Sequence, residues 1–487
     1  MIPRPERVIP GAAEQAYLAS ADGVPWECRS TLTGEALMIE RDTRESGYLY
    51  FPWKVTGRGL VQLCSGALME RDKPYNLPVE LARGTLNRVR NQASFWQTAG
   101  MAIPQGFYDA LHAATTTLAE AATNQIHPQA AQDEAENAMR LGLDAADILC
   151  QEYTRQVLAI RRNQQPAPVL LVGARLYAAP NGDCAARYLA AFNTAIAGIH
   201  WPDIEPQLGE YQWDTLDKLV AWCQENNLRL CMGPLVQMDK HSLPDWLFLD
   251  EGYEDVQAST LKFVEEIVKR YRGKVQLWHV TSRMNQEGAF AFSEEQRLRL
   301  VVEAVDRVRA HDARTPLVVS FNQPWAEYIA RKDQELTPYN FADTLVRGEL
   351  GLAGIGLEIQ YGYWPGGTLP RDAQELSRLL DRWSQIGVPL MVIFGAPSSM
   401  GSDPHARSPA HPLVDLRAGG VNPAWQQQVV ERLVPILLSK HPVQAIIWDN
   451  WQDNQPHEHQ CAGLLDTSGQ PKPALQSFID QKRSLTG

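Results

Sequence analysis

Four acidic side chains stand where a hydrolytic site would need them, provided that the apolar runs before them are strands. Glu358 lies within GIGLEI, Asp449 closes QAIIWD, Asp239 comes soon after LRLCMG, and Glu287 lies four residues past Arg283. Two carboxyl groups on either side of a reacting bond can act as general acid and general base. Glu358 with Asp449, or Glu358 with Glu287, is therefore the candidate catalytic pairing. The same residues have a plainer use. A Glu358 paired with Arg283 or His279 would fix the strand ends as a buried ion pair and do no chemistry.

Aromatic residues cluster beside these acids. Tyr361, Tyr363 and Trp364 occur in YGYWPGG, Trp448 and Trp451 flank Asp449, and Trp201 follows His200. Such rings stack on the apolar faces of sugars, and they equally suit a partner interface. His457, His459 and Cys461 alternate along one segment and would converge if it were extended. No fourth ligand accompanies them, so no metal is expected. The serines of SSMGSDPHARSPAHP (398–412) have no evident base and read as a surface loop.

These groups need a scaffold. Eight apolar runs, VLLVG (169–173), FNTAI (192–196), LRLCMG (228–233), VQLWHVT (275–281), PLVVSF (316–321), GIGLEI (354–359), PLMVIF (389–394) and QAIIWD (444–449), alternate with amphipathic stretches such as WDTLDKLVAWCQENN and SEEQRLRLVVEAVDRVRAHD. Continuous apolar strands alternating with helices predict an α/β fold, a closed (β/α)8 TIM barrel over 163–487. Side chains at the C-terminal strand ends would then meet at its mouth. VLLVGARLYAAP has no GxGxxG, so no nucleotide cofactor is expected, nor any other. Ahead of the barrel, residues 1–30 read as an irregular arm. Residues 31–162 read as a small α+β domain, strands first and then about three helices, either carbohydrate-binding or structural, with 163–169 as linker.

Four ordered stretches give the barrel a family likeness: FNTAIAGIHWPDIEPQLGEYQWDTLDKLVAWCQENNLRL (192–230), LVQMDKHSLPDWL (235–247), VQLWHVTSRMNQEGAF (275–290) and CAGLLDTSGQPKPALQSFI (461–479). Together they resemble glycoside hydrolase family 10, the xylanase family. The resemblance implies retaining hydrolysis by two glutamates, at the ends of strands four and seven. Laid on that pattern, the acid/base falls on Arg283, next to Ser282, and the nucleophile on Phe394. Arginine does not exchange its proton near neutral pH. No Asp, Glu, His, Lys or Arg occurs from Trp383 through Ser402, whatever the register. The family's sugar-holding positions fall on His200 and Trp201, on Gln237 and Met238, and on Glu358, Ile359 and Gln360. With His279, Arg283, Tyr361, Trp364, Trp448 and Trp451, these make up the candidate substrate-binding set. A degenerate barrel that binds carbohydrate or acts as a scaffold is expected. The alternatives are a hydrolase with relocated carboxylates and a structural subunit of a larger assembly.

Composition sets outer bounds. The chain has 487 residues, 44% hydrophobic and 21% charged, with a formal net charge of -12. That charge argues against nucleic acid or anionic lipid as a partner. A glycan, a second copy of the chain or another protein are the candidate partners. No run of ~18 apolar residues is present, so no membrane insertion is expected. The first residues lack a signal-like apolar stretch, and the seven cysteines form no CxxC pair. Both point to a reducing, cytoplasmic setting, whereas the resemblance points outside the cell.

Overall fold

The computed structural model describes residues 8–163, 170–249, 252–332, 334–413, 416 and 420–486, with side chains to 483. Eight parallel strands close into a barrel: β1 (Leu171–Leu176), β2 (Thr194–Ala197), β3 (Arg229–Met232), β4 (Leu277–Ser282), β5 (Leu317–Asn322), β6 (Gly354–Gln360), β7 (Leu390–Gly395) and β8 (Val443–Trp448). β8 pairs with β1, which closes the ring. Each strand falls within a few residues of an apolar run read from the sequence. After β3, the pair Val236–Gln237 adds a short parallel rung to the end of β4.

Strand alternation sorts the side chains into two sets. Ile196, Cys231, Val318, Met391, Ile393, Ala445 and Ile447 fill the lower interior as one apolar cluster. Their neighbours along the strands, such as Ile355, Leu357, Val392, Phe394, Ile446 and Trp448, face outward and pack with the helices in the main core. One step toward the mouth the inward set turns polar, with Arg175, His279, Ser320, Glu358, Gln360 and Asp449 all buried.

Residues 8–30 are not an irregular arm. Ala12–Gln15 forms a helical turn, and Tyr17–Ala19 pairs antiparallel with Gly47–Val55. Backbone hydrogen bonding to a neighbouring strand gives this segment an order that its lack of periodicity conceals, and residues 1–7 of the expected arm lie outside the described residues. Gly47–Val55 and Gly59–Leu68 form a long hairpin, and Arg29–Thr33 pairs with Ala36–Glu40. Helices Leu77–Thr98, Gln105–Thr123 and Pro128–Arg162 follow. The first is seated against the hairpin at Gly84, where a Cβ would lie 2.0 Å from the Cys64 carbonyl oxygen. Apart from Asn163, the expected linker 163–169 lies outside the described residues.

The N-terminal domain is docked on the barrel through its backbone. The Gln62 N–H donates to Pro370 O (2.8 Å) and the Cys28 N–H to Ala330 O (3.2 Å). Arg331, after β5, donates to the carbonyls of Glu14 (3.1 Å), Ala13 (2.9 Å), Cys28 (2.5 Å) and Ala16. The terminal PKPA segment also has a structural role. Lys472 donates to Ser398 Oγ (2.8 Å) and to Asp453, which ties the loop after β7 to the loop after β8. All seven cysteines are unpaired. Among the described residues no helix is long and apolar enough to cross a membrane.

Candidate functional site

The inward residues at the upper ends of β1, β4, β5, β6 and β8 form one polar network under the mouth. Glu358 is 1% exposed. Its Oε1 accepts from Ser282 Oγ (2.5 Å) and Ser320 Oγ, and its Oε2 accepts from Arg283 Nε (3.1 Å). Arg283 Nη1 also donates to Asp239 Oδ2 (3.0 Å) and Glu458 Oε1 (2.7 Å). One guanidinium thus gathers three carboxylates. Arg283 has a left-handed backbone, φ 61°. That conformation costs a non-glycine residue roughly 1–2 kcal/mol, and the three ion pairs offset it.

A second cluster lies beside the first. Asp449 is paired with Arg175 Nη2 (3.3 Å), accepts from Gln360 Nε2 (3.0 Å) and lies 2.7 Å from His459 Nδ1. Gln237 Nε2 donates to Asp239 (2.8 Å) and Glu458 (3.4 Å), and His241 Nε2 lies 3.0 Å from Glu458. His279 Nε2 lies 2.7 Å from Ser320 Oγ.

The environment sets the charge states. Burial would raise the pKa of Glu358, but Arg283, His279 and the two serine hydroxyls hold it below the ordinary value. Burial opposes ionisation of Glu458 too, and Arg283 with His241 overcomes it by a wide margin. Against the same burial, Arg175 and His459 pull Asp449 down to about 2. Burial lowers His279 to about 4, so it is neutral near pH 7.

Above the network lies a cleft of about 670 Å³, within the range of roughly 300–1,000 Å³ usual for small-molecule sites. Asp239, His241, Arg283 and His459 reach it from the mouth. Glu287, Tyr328 and Trp364 line its sides, and Gln15, Tyr17 and Gln62 of the N-terminal domain form a further wall. Glu287 is half exposed and pairs loosely with Lys332 (3.6 Å). Glu358 and Asp449 lie beneath the cleft and do not line it, and Glu287 stands apart from both.

Several aromatic residues expected at the mouth are in the core. Trp201 stacks on Phe263 (4.4 Å) and donates to Glu205. Trp448 packs edge-on against Phe394 (5.0 Å), and Trp451 against Tyr188 (5.0 Å). Tyr361 is 2% exposed and sits against Trp325. Strand alternation turned Trp448 outward, whereas inward Asp449 faces the interior. Of the expected rim, Trp364 lines the cleft. His200 is held off the cleft by Asp203 (3.0 Å) and the His241 carbonyl (2.9 Å).

Alternation also corrects the reading of β7. Phe394 faces outward, toward Trp448 and Phe478. The inward place at the strand end belongs to Gly395, where a Cβ would lie 2.7 Å from Gln360 Oε1 and 3.5 Å from the Asp449 Cβ. Gln360 fills the space that a β7 side chain would take.

His457 and His459 diverge. His457 Nε2 lies 3.0 Å from Asp403, while His459 turns to Asp449. Among the described residues two groups have metal-like spacing, Asp239–His241–Glu458 and Asp403–Asp453–His457. Each already contains a protein cation, Arg283 in the first and Lys472 in the second. Sequence reading also passed over Glu327, after β5, and Glu458. Glu327 lines the cleft, and burial raises its pKa against the pull of Arg371. Nothing in QPWAEYIA marks it, because its role comes from packing against the N-terminal domain.

Residues 183–392 match the model of Glycosyl hydrolase family 10. The match includes Arg283 and stops inside β7, short of Gly395. Endo-1,4-beta-xylanase C of Paenibacillus barcinonensis is 28% identical over 106 residues, 20% of this chain and 10% of the relative. Endo-1,4-beta-xylanase A of Halalkalibacterium halodurans is 21% identical over 187 residues, 33% of this chain and 45% of the relative. The chain thus spans less than half the length of either curated relative. Among solved structures, xylanase 10B from Thermotoga petrophila, in complex with xylobiose, aligns with 16% identity and a TM-score of 0.48, covering 67% of this chain and 96% of that one. Native xylanase 10B from Thermotoga maritima aligns with 18% identity and the same score, covering 68% and 98%. The barrel is family 10-like, and the N-terminal domain lies outside the matched segment.

Proposed function

We propose that this family 10-like protein binds carbohydrate in its cleft without hydrolysing it by the two-glutamate route. The observation that carries the reading is Arg283 at the end of β4, neutralised by Glu358, Asp239 and Glu458, together with Gly395 at the end of β7. Retaining hydrolysis needs a nucleophile and a protonated acid about 5–5.5 Å apart. Glu358, Asp449 and Glu458 are instead all held ionised. A relocated Glu358–Asp449 or Glu358–Glu287 pair would have to break these contacts first. The xylanase relatives make xylo-oligosaccharides the first probes.

The test pairs calorimetric titration of xylotriose with an assay of aryl β-xyloside cleavage. Binding with no cleavage above background is expected. Cleavage that disappears in Glu358→Gln or Glu327→Gln would replace this reading with hydrolysis. A structural role is the second reading, favoured by the burial of Tyr361 and Tyr363. Absence of binding to xylo- and cello-oligosaccharides would select it.

A further inference from the structure

Where the N-terminal domain meets the barrel, one wall of the cleft carries polar atoms with no hydrogen-bond partner among the described residues. Gln15 and Gln62 are 8% and 1% exposed, and Arg371 is 6% exposed. Among the described residues the side-chain oxygens of both glutamines have no hydrogen-bond partner, nor do Nε and Nη1 of Arg371, and Glu327 is held by Thr368 and Arg371. All four residues line the cleft. Buried polar groups are almost always paired, so such a concentration at one wall calls for a polar occupant.

The groups are also held in place. Arg371 Nη2 donates to Tyr17 Oη (2.9 Å), and the guanidinium lies 4.6 Å from the centre of the Trp325 ring. Tyr17 stacks on Tyr50 at 4.8 Å. Gln62 Nε2 reaches the Gln15 carbonyl at 3.4 Å, and the Gln62 backbone is bonded to Pro370. Glu327 lies 3.8 Å from Arg371, so their charges cancel. A free cation or anion would gain little there, while a neutral molecule rich in hydroxyls could use both donors and acceptors.

We propose that Gln15, Gln62, Glu327 and Arg371 form a subsite for one neutral sugar residue, shared between the N-terminal domain and the barrel. This rests on the carbohydrate-binding reading and assigns the N-terminal domain a direct part in it. These atoms are closed to solvent in the free protein, and side-chain rotation on binding brings ring hydroxyls to accept from Arg371 and to donate to the two glutamine oxygens and to Glu327. The hydrophobic side of the ring lies toward Leu369 and Trp364, which line the same cleft.

Xylotriose and cellotriose are titrated into wild-type protein and into Gln62→Leu, a change that removes the amide and keeps the backbone bond to Pro370. Affinity about tenfold weaker is expected, the equivalent of ~1.4 kcal/mol, with an unchanged melting temperature. Hydrogen exchange of the wild-type protein should slow on saturation in segments 14–18 and 60–63. Wild-type binding together with unchanged affinity in Gln62→Leu and no protection of these segments overturns the subsite and leaves the binding function standing. If Gln62→Leu does not fold, the wild-type exchange measurement decides alone. No binding of either sugar by wild-type protein removes both proposals.

Discussion

Replacing Arg283 by Met tests the network under the mouth most directly. The change keeps the unbranched apolar stem and removes the guanidinium with its charge. Arg283 is 10% exposed at its side chain and pairs with Glu358 at 3.1 Å, Asp239 at 3.0 Å and Glu458 at 2.7 Å. One pair at about 4 Å is worth roughly 4 kcal/mol at an effective dielectric near 20. Desolvation of the guanidinium takes back much of that sum. What remains is the penalty for leaving buried carboxylates uncompensated, about 3–5 kcal/mol. The pH dependence carries a distinct sign. In the wild-type protein Glu358 and Glu458 have depressed pKa values. Their stabilisation is present above the unfolded value of about 4.3 and is lost as pH falls through the folded value. Without Arg283, burial dominates and raises both, so the penalty is largest near neutrality and shrinks on acidification. Urea unfolding near pH 7 and near pH 5 should show a loss of about 3–5 kcal/mol that falls by at least ~1 kcal/mol at the lower pH. Adding Glu358→Gln should recover roughly 1–2 kcal/mol. A loss below ~1 kcal/mol near pH 7, or one that does not vary with pH, would refute the assignment of Arg283 as the charge that holds these acids.

Other consequences are open to measurement. Arg331→Ala removes the clamp on the carbonyls of Ala13, Glu14, Ala16 and Cys28; a local loss of about 2–3 kcal/mol should appear as faster hydrogen exchange over residues 12–19 while the barrel strands keep their protection. His241 and His457 have raised pKa values, because Glu458 and Asp403 outweigh the burial that opposes their charge. Their contribution is complete below the unfolded value of about 6.5 and declines as pH rises through the folded values. Unfolding free energy should therefore drop between neutral and alkaline pH, and His241→Gln with His457→Gln should flatten that limb. Gly395→Glu adds a carboxylate to β7 but drives it into Gln360 and Asp449; a loss of about 1–3 kcal/mol in stability without any gain in aryl xyloside cleavage is expected, since Arg283 still occupies the end of β4.

The sequence by itself determined the barrel. Eight apolar runs separated by amphipathic stretches leave one economical way to bury both faces of each strand, and β1 to β8 form at those runs. It also determined that the end of β7 carries no ionisable group, because Trp383 through Ser402 contains none. Which side chains face the mouth was a matter for the tertiary structure. A shift of one residue along a strand reverses its face, so Gly395 rather than Phe394 points inward, and Trp448 packs outward while Asp449 turns in. Pairing across the barrel likewise joins residues far apart in the chain. Arg283 and Glu458 are 175 positions apart, and no local pattern in HEHQC marks the glutamate as its partner. The same holds for the wall of the cleft. Gln15 and Gln62 acquire their position only because the N-terminal sheet docks beside Arg371, so chain packing, not sequence spacing, brings these polar groups to one surface.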